Sequence, residues 1–265
     1  MSVRLRFLGT GDAFGSGGRF QACILVEADD GRVLLDCGAS SLIALKRAGI
    51  DPNTIDAIAV SHYHGDHFGG IPFFVLDGHF GKRDRELVIA GPADVAARID
   101  GAVDALYPGY RTRGALASGK ARPFEIRFVD LADGVPTAVG PARVTALPVD
   151  HTADTAPHGL RVELGGRVVA YSGDTAWTDT LLELARGSDA FICEAYTALK
   201  DVPKHLNIRA LVGGAARFGT QRLILTHFGP DMLEIGSVSW ATLAHDGLVV
   251  TLDGPIGGRS YVRPL

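Results

Sequence analysis

The sequence predicts an α/β layered sandwich with mixed sheets, on three observations. Short β-branched runs recur along the whole chain, helical patterns separate only some of them, and nothing in the 265 residues reads as a repeat, a low-complexity tract or a linker. That length is near the upper limit for one hydrophobic core, so residues 1–265 are read as a single domain. Hydrophobic residues at 46% and charged residues at 21% are ordinary for a globular chain, and the 34 Gly and 13 Pro, scattered throughout, imply tight turns between short elements.

In chain order the strand runs are VRLRFLG (3–9), ACILVEA (22–28), RVLLDCG (32–38), AIAVSH (57–62), ELVIAG (86–91), FEIRFVD (124–130), RVTALPVDH (143–151), GLRVELG (159–165), RVVAYSGD (167–174), AFICEA (190–195), RLILTHF (222–228) and GLVVTLD (247–253). Each is bounded by Gly, Pro, Asp or Asn, the residues that turn a chain out of a strand. Helical spacing appears at 40–48, 93–106, 178–187 and 207–218, with Thr178 and Asn207 placed as N-caps of the last two. The N-terminal half reads mostly as hairpins and helices alternate with strands thereafter, which argues against a purely parallel sheet. Residues 72–86, PFFVLDGHFGKRDRE, mix aromatic and charged side chains and read as a surface loop, or alternatively as a flap over a site. The opening GTGDAFGSGG (9–18) is no P-loop, because neither GKS nor GKT follows and no helix begins after it. It reads either as a turn between the first two strands or as a set of backbone N–H groups facing a substrate anion.

Composition also excludes classes. A net charge of −4 gives no global basic field for nucleic acid or anionic lipid. The N-terminus lacks the apolar run of a signal peptide, and no stretch nears the ~18 apolar residues of a spanning helix, so the expectation is a cytoplasmic protein with no membrane partner. Cys23, Cys37 and Cys193 share no CxxC spacing and read as buried small residues.

The chemistry concentrates in SHYHGDH, residues 61–67, which holds three of the 9 histidines. His62 and His64 are two apart at the end of an apolar strand, so both rings can face one ion. Asp66 and His67 come where the chain must bend toward a helix, and they face another way. Two such bundles suit two adjacent metals, but both ions need more donors. His151, Asp174 and His227 supply them, each after a β-forming run, and strand ends along one sheet edge converge on one surface. The seven donors divide into His62, His64 and His151 on one ion and Asp66, His67 and His227 on the other, with Asp174 bridging. Imidazole and carboxylate suit zinc, manganese or iron, and the lack of Cys donors argues against a closed structural zinc site. His79, His158 and His245 end no strand beside the others and are read as non-ligands.

SHYHGDHFGG, together with His151, SGDT and LTHF, resembles the signature of the metallo-β-lactamase fold hydrolases: HxHxDH followed by separate His, Asp and His motifs. Within that superfamily FLGTGDAFGSGGR, ICEAYTALKDVPKHLNIRAL, LILTHF and AHDGLVV are similar to segments of ribonuclease Z. The resemblance implies a four-layer αββα sandwich of two mixed β-sheets flanked by helices, with a dinuclear site at the edge between the sheets. Matched residue by residue it adds Glu194, in CEAY, and His205, in PKHLN. Read on the residues alone, Glu194 ends the strand run AFIC where the other donors gather. His205 precedes a helix, where a capping or surface histidine is the alternative. As a pair they suit a carboxylate that orients an imidazole proton donor. The chain departs from the family at one point. Ribonuclease Z carries a long Gly/Pro-rich arm between the third and fourth metal motifs, used to grip tRNA, whereas here 22 residues separate His151 from Asp174 and read as a loop and a hairpin.

The expected function is a dinuclear metal-dependent hydrolase, first a phosphodiesterase like ribonuclease Z without its gripping arm. A metal-bridging hydroxide would be the nucleophile, Asp66 would ligate and orient it, and His205, held by Glu194, would protonate the leaving alkoxide. The cofactors are two divalent metal ions, zinc ahead of manganese or iron. The partner is a small phosphodiester or RNA-like substrate, and a homodimer is left open. The alternatives are hydrolysis of a lactone, thioester or sulfate ester at the same centre, an iron-dependent oxidative role, and a metal-bound carrier without catalysis.

Overall fold

The computed structural model describes residues 2–110 and 123–253. Its elements run β1 (Val3–Gly9), β2 (Cys23–Ala28), β3 (Gly31–Leu35), α1 (Ser41–Arg47), β4 (Ala57–Ala59), α2 (Gly65–Phe68), α3 (Ile71–Phe80), β5 (Leu87–Gly91), α4 (Val95–Leu106), β6 (Ile126–Asp130), β7 (Thr137–Val139), β8 (Ala142–Pro148), β9 (His158–Leu164), β10 (Arg167–Tyr171), α5 (Thr180–Ala185), β11 (Ala190–Glu194), α6 (Ile208–Gly214), β12 (Leu223–Thr226), β13 (Thr242–Leu243) and β14 (Val249–Leu252). The strands form two seven-stranded sheets, ordered β14-β1-β2-β3-β4-β5-β6 and β13-β12-β11-β10-β9-β8-β7. Both follow one plan. β14, β1, β2 and β3 pair antiparallel, and β3, β4, β5 and β6 pair parallel. In the second sheet β7 to β10 are antiparallel and β10 to β13 parallel.

Period-2 alternation decides the layers. In β11 Ala190 and Ile192 face the space between the sheets, with Val3, Leu5 and Phe7 of β1 and Val144, Leu160 and Val162 of the second sheet. Phe191 and Cys193 point the other way, onto Leu181 and Leu184 of α5, Leu211 of α6 and Phe218. On the opposite flank Leu25, Leu34, Ile58 and Ile89 meet Ala44 and Leu45 of α1, Phe74 and Val75 of α3, and Ile99 and Val103 of α4. Each large apolar side chain buried this way contributes about 1.5–3 kcal/mol. The result is an αββα sandwich, the architecture the sequence resemblance implied.

Each of the twelve strand runs coincides with a strand, although several stop short of the polar residues that follow. β7 and β13, three and two residues long, are too short to leave a pattern. Three readings are corrected. The N-terminal half is not mostly hairpins, because only β1 to β3 make them and β3 to β6 run parallel. Residues 72–86 are neither flap nor surface loop at their start: Ile71–Phe80 is a helix with Pro in its first turn and Ile71, Phe74, Val75 and Gly78 buried. That i, i+3, i+4, i+7 stripe was legible, and Pro72 was a start signal rather than a breaker. Asn207 caps α6 as expected, accepting from Ala210 N at 2.9 Å. The cap of α5 falls at Asp179 rather than Thr178, whose Oγ1 receives only a long bond from Thr180 N at 3.4 Å. Among the described residues no helix is long and apolar enough to cross a membrane.

Candidate metal centre

The parallel strands β4, β10, β11 and β12 all end at one edge of the sandwich, and the sequence places a polar residue just past or at each end: His62, Asp174, Glu194 and His227. The chain leaving β4 turns into α2, which brings in Asp66 and His67. No side chain fits where this turn crosses the end of β3. A Cβ at Gly38 would lie 2.1 Å from the Asp66 carbonyl oxygen, and one at Gly70 would lie 2.1 Å from that of Gly38. His227 reaches the site through a left-handed backbone, φ 62°, and Phe228 N then donates to Thr10 O at 3.1 Å.

The seven expected donors are brought together in two groups. His62, His64, His151 and Asp174 form one and Asp66, His67, Asp174 and His227 the other, with the donor atoms of each group all within 4.8 Å of one another. Asp174 belongs to both. In the first group His64 Nδ1 lies 3.2 Å from His62 Nε2 and 3.1 Å from His151 Nε2. In the second, His67 Nε2 is 3.3 Å from Asp66 Oδ2 and 3.3 Å from Asp174 Oδ1, and His227 Nε2 is 3.2 Å from Asp174 Oδ2.

The far sides of the rings fix which atom faces inward. His151 Nδ1 donates to Lys204 O at 2.8 Å and His67 Nδ1 to Asp36 Oδ2 at 2.6 Å, and both partners can only accept. Ser61 Oγ donates to Asp36 Oδ2 at 2.8 Å, so it accepts from His62 Nδ1 at 3.0 Å. His62 and His151 therefore turn a lone pair toward His64 Nδ1, which can donate a proton to only one of them, whereas a cation among the three would engage all three nitrogens. Burial first, and the neighbouring histidine His67 next, hold His62 well below the ordinary imidazole range; burial also lowers His64 and His151. Around His67 the demand is for positive charge. Burial works against it, yet Asp174, Asp66 and Asp36 together raise that imidazole well above its ordinary value. Burial likewise opposes the charge on Asp174, and His227 and His67 outweigh it, keeping the carboxylate well below its usual range. His67 Nε2 and Asp174 Oδ1 are buried and make no hydrogen bond. Orphaned donors, converging lone pairs and spacings near the ~3.3 Å edge of a tetrahedron with ~2.0 Å bonds all fit divalent cations held by these seven residues.

Glu194 and His205 stand beside Asp174, the donor that the two groups share. Glu194 is fully buried and accepts from Thr175 N at 2.5 Å, Leu206 N at 3.2 Å and His205 Nδ1 at 3.2 Å. Burial raises the Glu194 carboxyl, against the pull of His205. Burial lowers His205, but the hydrogen bond and charge of Glu194 prevail and carry it up to about 8. His205 Nδ1 is also 4.0 Å from Asp174 Oδ2, and the Tyr196 ring packs 4.7 Å from the His205 ring.

Other sequence expectations sort as follows. The Gly-rich opening is a turn in which Asp12 accepts from Phe14 N, Ser16 N and Ser16 Oγ, and Gly11 N donates to Phe20 O, so these four groups are engaged within the protein. His158 is tied to Asp133 and Ala156 O, and His79 and His245 stand outside both donor groups. All three cysteines are buried and free. The sequence reading missed Asp36, which gathers Ser61 N at 2.7 Å, Ser61 Oγ and Tyr171 OH at 2.8 Å, and His67. Its signal was present: an acidic residue directly after the apolar strand β3, at the same edge.

The fold recurs elsewhere. YhfI of Bacillus subtilis, described as a metallo-β-lactamase fold protein, superposes with a TM-score of 0.74 at 20% identity, covering 94% of this chain and 99% of that one. Human tRNase Z, short form, gives 0.74 at 22% identity over 94% and 99% of the two chains. In sequence the uncharacterized protein ML1173 of Mycobacterium leprae is 31% identical over 256 residues, 94% of this chain and 86% of its own. Residues 3–245 match the model of one family, described as Anti-Pycsar protein Apyc1. With that match spanning nearly all of both sheets, the chain belongs to the Apyc1 family and has the metallo-β-lactamase fold.

Proposed function

We propose that this protein is a dinuclear metal-dependent phosphodiesterase acting on a small phosphodiester. The observation that carries the reading is the Glu194–His205 pair set 4.0 Å from Asp174, the residue shared by the two donor groups. When bound, two divalent ions would supply a hydroxide nucleophile at neutral pH and positive charge against the phosphoryl oxygens. Zinc suits the nitrogen-rich first group, and manganese or iron could serve the same donors. The chain's own residues do the rest. Asp66 and Asp174 hold negative charge where the ions would sit. Glu194 holds the His205 ring by Nδ1, leaving Nε2 to give its proton to the departing alkoxide. A proton donor matters most for a leaving group as basic as a ribose oxygen, which favours diesters of ordinary alcohols. A fold shared with a protein named tRNase Z supports cleavage at phosphorus. Membership of the Anti-Pycsar family supports for this chain the role that name states, opposition to Pycsar, which hydrolysis at this centre would serve.

The deciding experiment is a hydrolysis panel with the metal-loaded protein: alkyl and nitrophenyl phosphodiesters, a lactone, a thioester and a sulfate ester. The highest kcat/KM should fall on the phosphodiesters. A lactone or thioester turned over faster would replace this reading with acyl-group hydrolysis, and no turnover with full metal loading would favour a carrier.

A further inference from the structure

The turn that carries His205 also reaches back to a metal-donor histidine, and one residue makes both connections. Lys204 has a left-handed backbone, φ 68°, which is uncommon for any residue but glycine. In that conformation its carbonyl accepts from His151 Nδ1 at 2.8 Å. A carbonyl cannot donate, so the His151 proton stays on Nδ1 and the Nε2 lone pair, 3.1 Å from His64 Nδ1, faces the first donor group. The next residue, His205, places Nδ1 3.2 Å from Glu194 Oε1, and Leu206 N donates to Glu194 Oε2 at 3.2 Å. The Lys204 ammonium pairs with Asp150, the neighbour of His151, but both side chains are about half exposed (48% and 50%), where an ion pair contributes little. The peptide, then, is the main fastening. Across it the His151 and His205 rings stand 4.9 Å apart.

We propose that Lys204 is a positioning residue that couples the first metal site to the proton donor: its left-handed turn fixes the His151 tautomer and the place of His205 together. The purpose of this coupling rests on the dinuclear phosphodiesterase reading, whereas the coupling itself is a property of the turn. A ligand histidine whose outer nitrogen loses its acceptor is free to rotate and to exchange tautomers, and metal affinity falls by about 10–100-fold when such outer partners are removed. Because the same turn carries His205, the loss should reach the proton donor as well.

The test uses the full chain with ¹⁵N-labelled histidine and three variants. In Lys204→Pro the ring holds φ at about −65°, so the observed conformation is inaccessible. Lys204→Gly adopts positive φ freely, and Lys204→Met removes only the charge. In metal-free Lys204→Pro, long-range ¹H–¹⁵N spectra should show His151 losing its fixed Nδ1–H tautomer. Zinc titration against a competing chelator should show one of two ions bound about 10–100-fold more weakly and the other unchanged. With alkyl phosphodiesters kcat should fall more than KM changes. Lys204→Gly and Lys204→Met should keep the His151 tautomer and both zinc affinities. If Lys204→Pro is unfolded by circular dichroism, Lys204→Val, whose branched Cβ disfavours positive φ, should show the same changes in smaller measure. A Pro or Val variant with an unchanged His151 tautomer and two unchanged zinc affinities overturns the proposal. Wild-type protein that binds fewer than two zinc ions would sink the dinuclear reading instead, and the metal-free tautomer would still decide the role of Lys204.

Discussion

His205 is pulled two ways, down by burial and up by Glu194, and the carboxylate prevails to leave its pKa at about 8. The imidazole is therefore protonated below that value and loses its proton as pH rises through it. For an alkyl phosphodiester, kcat should fall on the alkaline side of about pH 8. Glu194→Gln removes the largest raising cause and leaves burial opposed only by Asp174, so that limb should move to lower pH; a pH profile of both proteins checks it. His205→Ala should keep full metal content yet lose about 10²–10⁴-fold in rate on alkyl diesters, the range for a general acid. With a nitrophenyl leaving group, which departs without a proton, the loss should shrink. An equal loss on both substrates would mean that His205 positions the substrate, and a drop in metal content would make it a ligand. Asp174 gives a different signature, since it stands in both donor groups. Elemental analysis should find two ions in wild type, about one in His227→Ala and fewer in Asp174→Asn. A stoichiometry of one in wild type, unmoved by His227→Ala, would end the dinuclear assignment. Three of the six non-glycine residues with left-handed backbone among the described residues, Asp36, Lys204 and His227, lie at this edge, as is common where a fold spends strain on a site.

At the scale of elements, the least obvious fastening is Arg83, which follows α3 and is 2% exposed. Its guanidinium donates to the carbonyls of Arg85, Pro52, Asn53, Ile55 and Glu86 and lies over the Phe124 ring. It thereby joins the short turn before β4 to the start of β5. Each buried carbonyl left unpaired costs about 1–3 kcal/mol, so Arg83→Met should destabilise by about 3 kcal/mol or more in denaturant unfolding while zinc stoichiometry stays the same. Lys at this position should not rescue, because an ammonium cannot span a planar fan of carbonyls. A loss under about 0.5 kcal/mol, the range of an ordinary surface substitution, would show that water replaces the guanidinium. Nothing in the local sequence marks Arg83 as buried. KRDRE reads as a solvated charge run, and only the approach of Pro52–Ile55 turns one of its arginines inward. The α3 stripe was different: Ile71, Phe74, Val75 and Gly78 were visible at helical spacing but hidden among aromatic and charged neighbours.

Over the whole molecule, the segment between His151 and Asp174 is a short 3₁₀ turn and the β9–β10 hairpin, turned at Gly165 and Gly166. It offers no projecting arm. With a net charge of −4, the protein should cleave bis-aryl phosphodiesters readily and process precursor tRNA poorly. A side-by-side cleavage assay checks this, and efficient, site-specific removal of a 3′ trailer would require an RNA grip elsewhere on the molecule.

Sequence alone determined the strand runs, the two-sheet sandwich by resemblance, and the residues gathered at the edge. Histidine is scarce in this chain, the donors follow strand runs or the turn after one, and period-2 patterning says which face each strand buries. These are local facts, written within a few residues of each site residue. What the sequence could not determine were the partners of those residues. Tyr171 reaches Asp36 across 135 positions of chain, and Lys204 O reaches His151 across 53. Such contacts depend on how two sheets stack and how loops cross between them, and no propensity or spacing encodes that approach. The tertiary structure decided which nitrogen of each histidine faces inward, and with it the chemistry the site can hold.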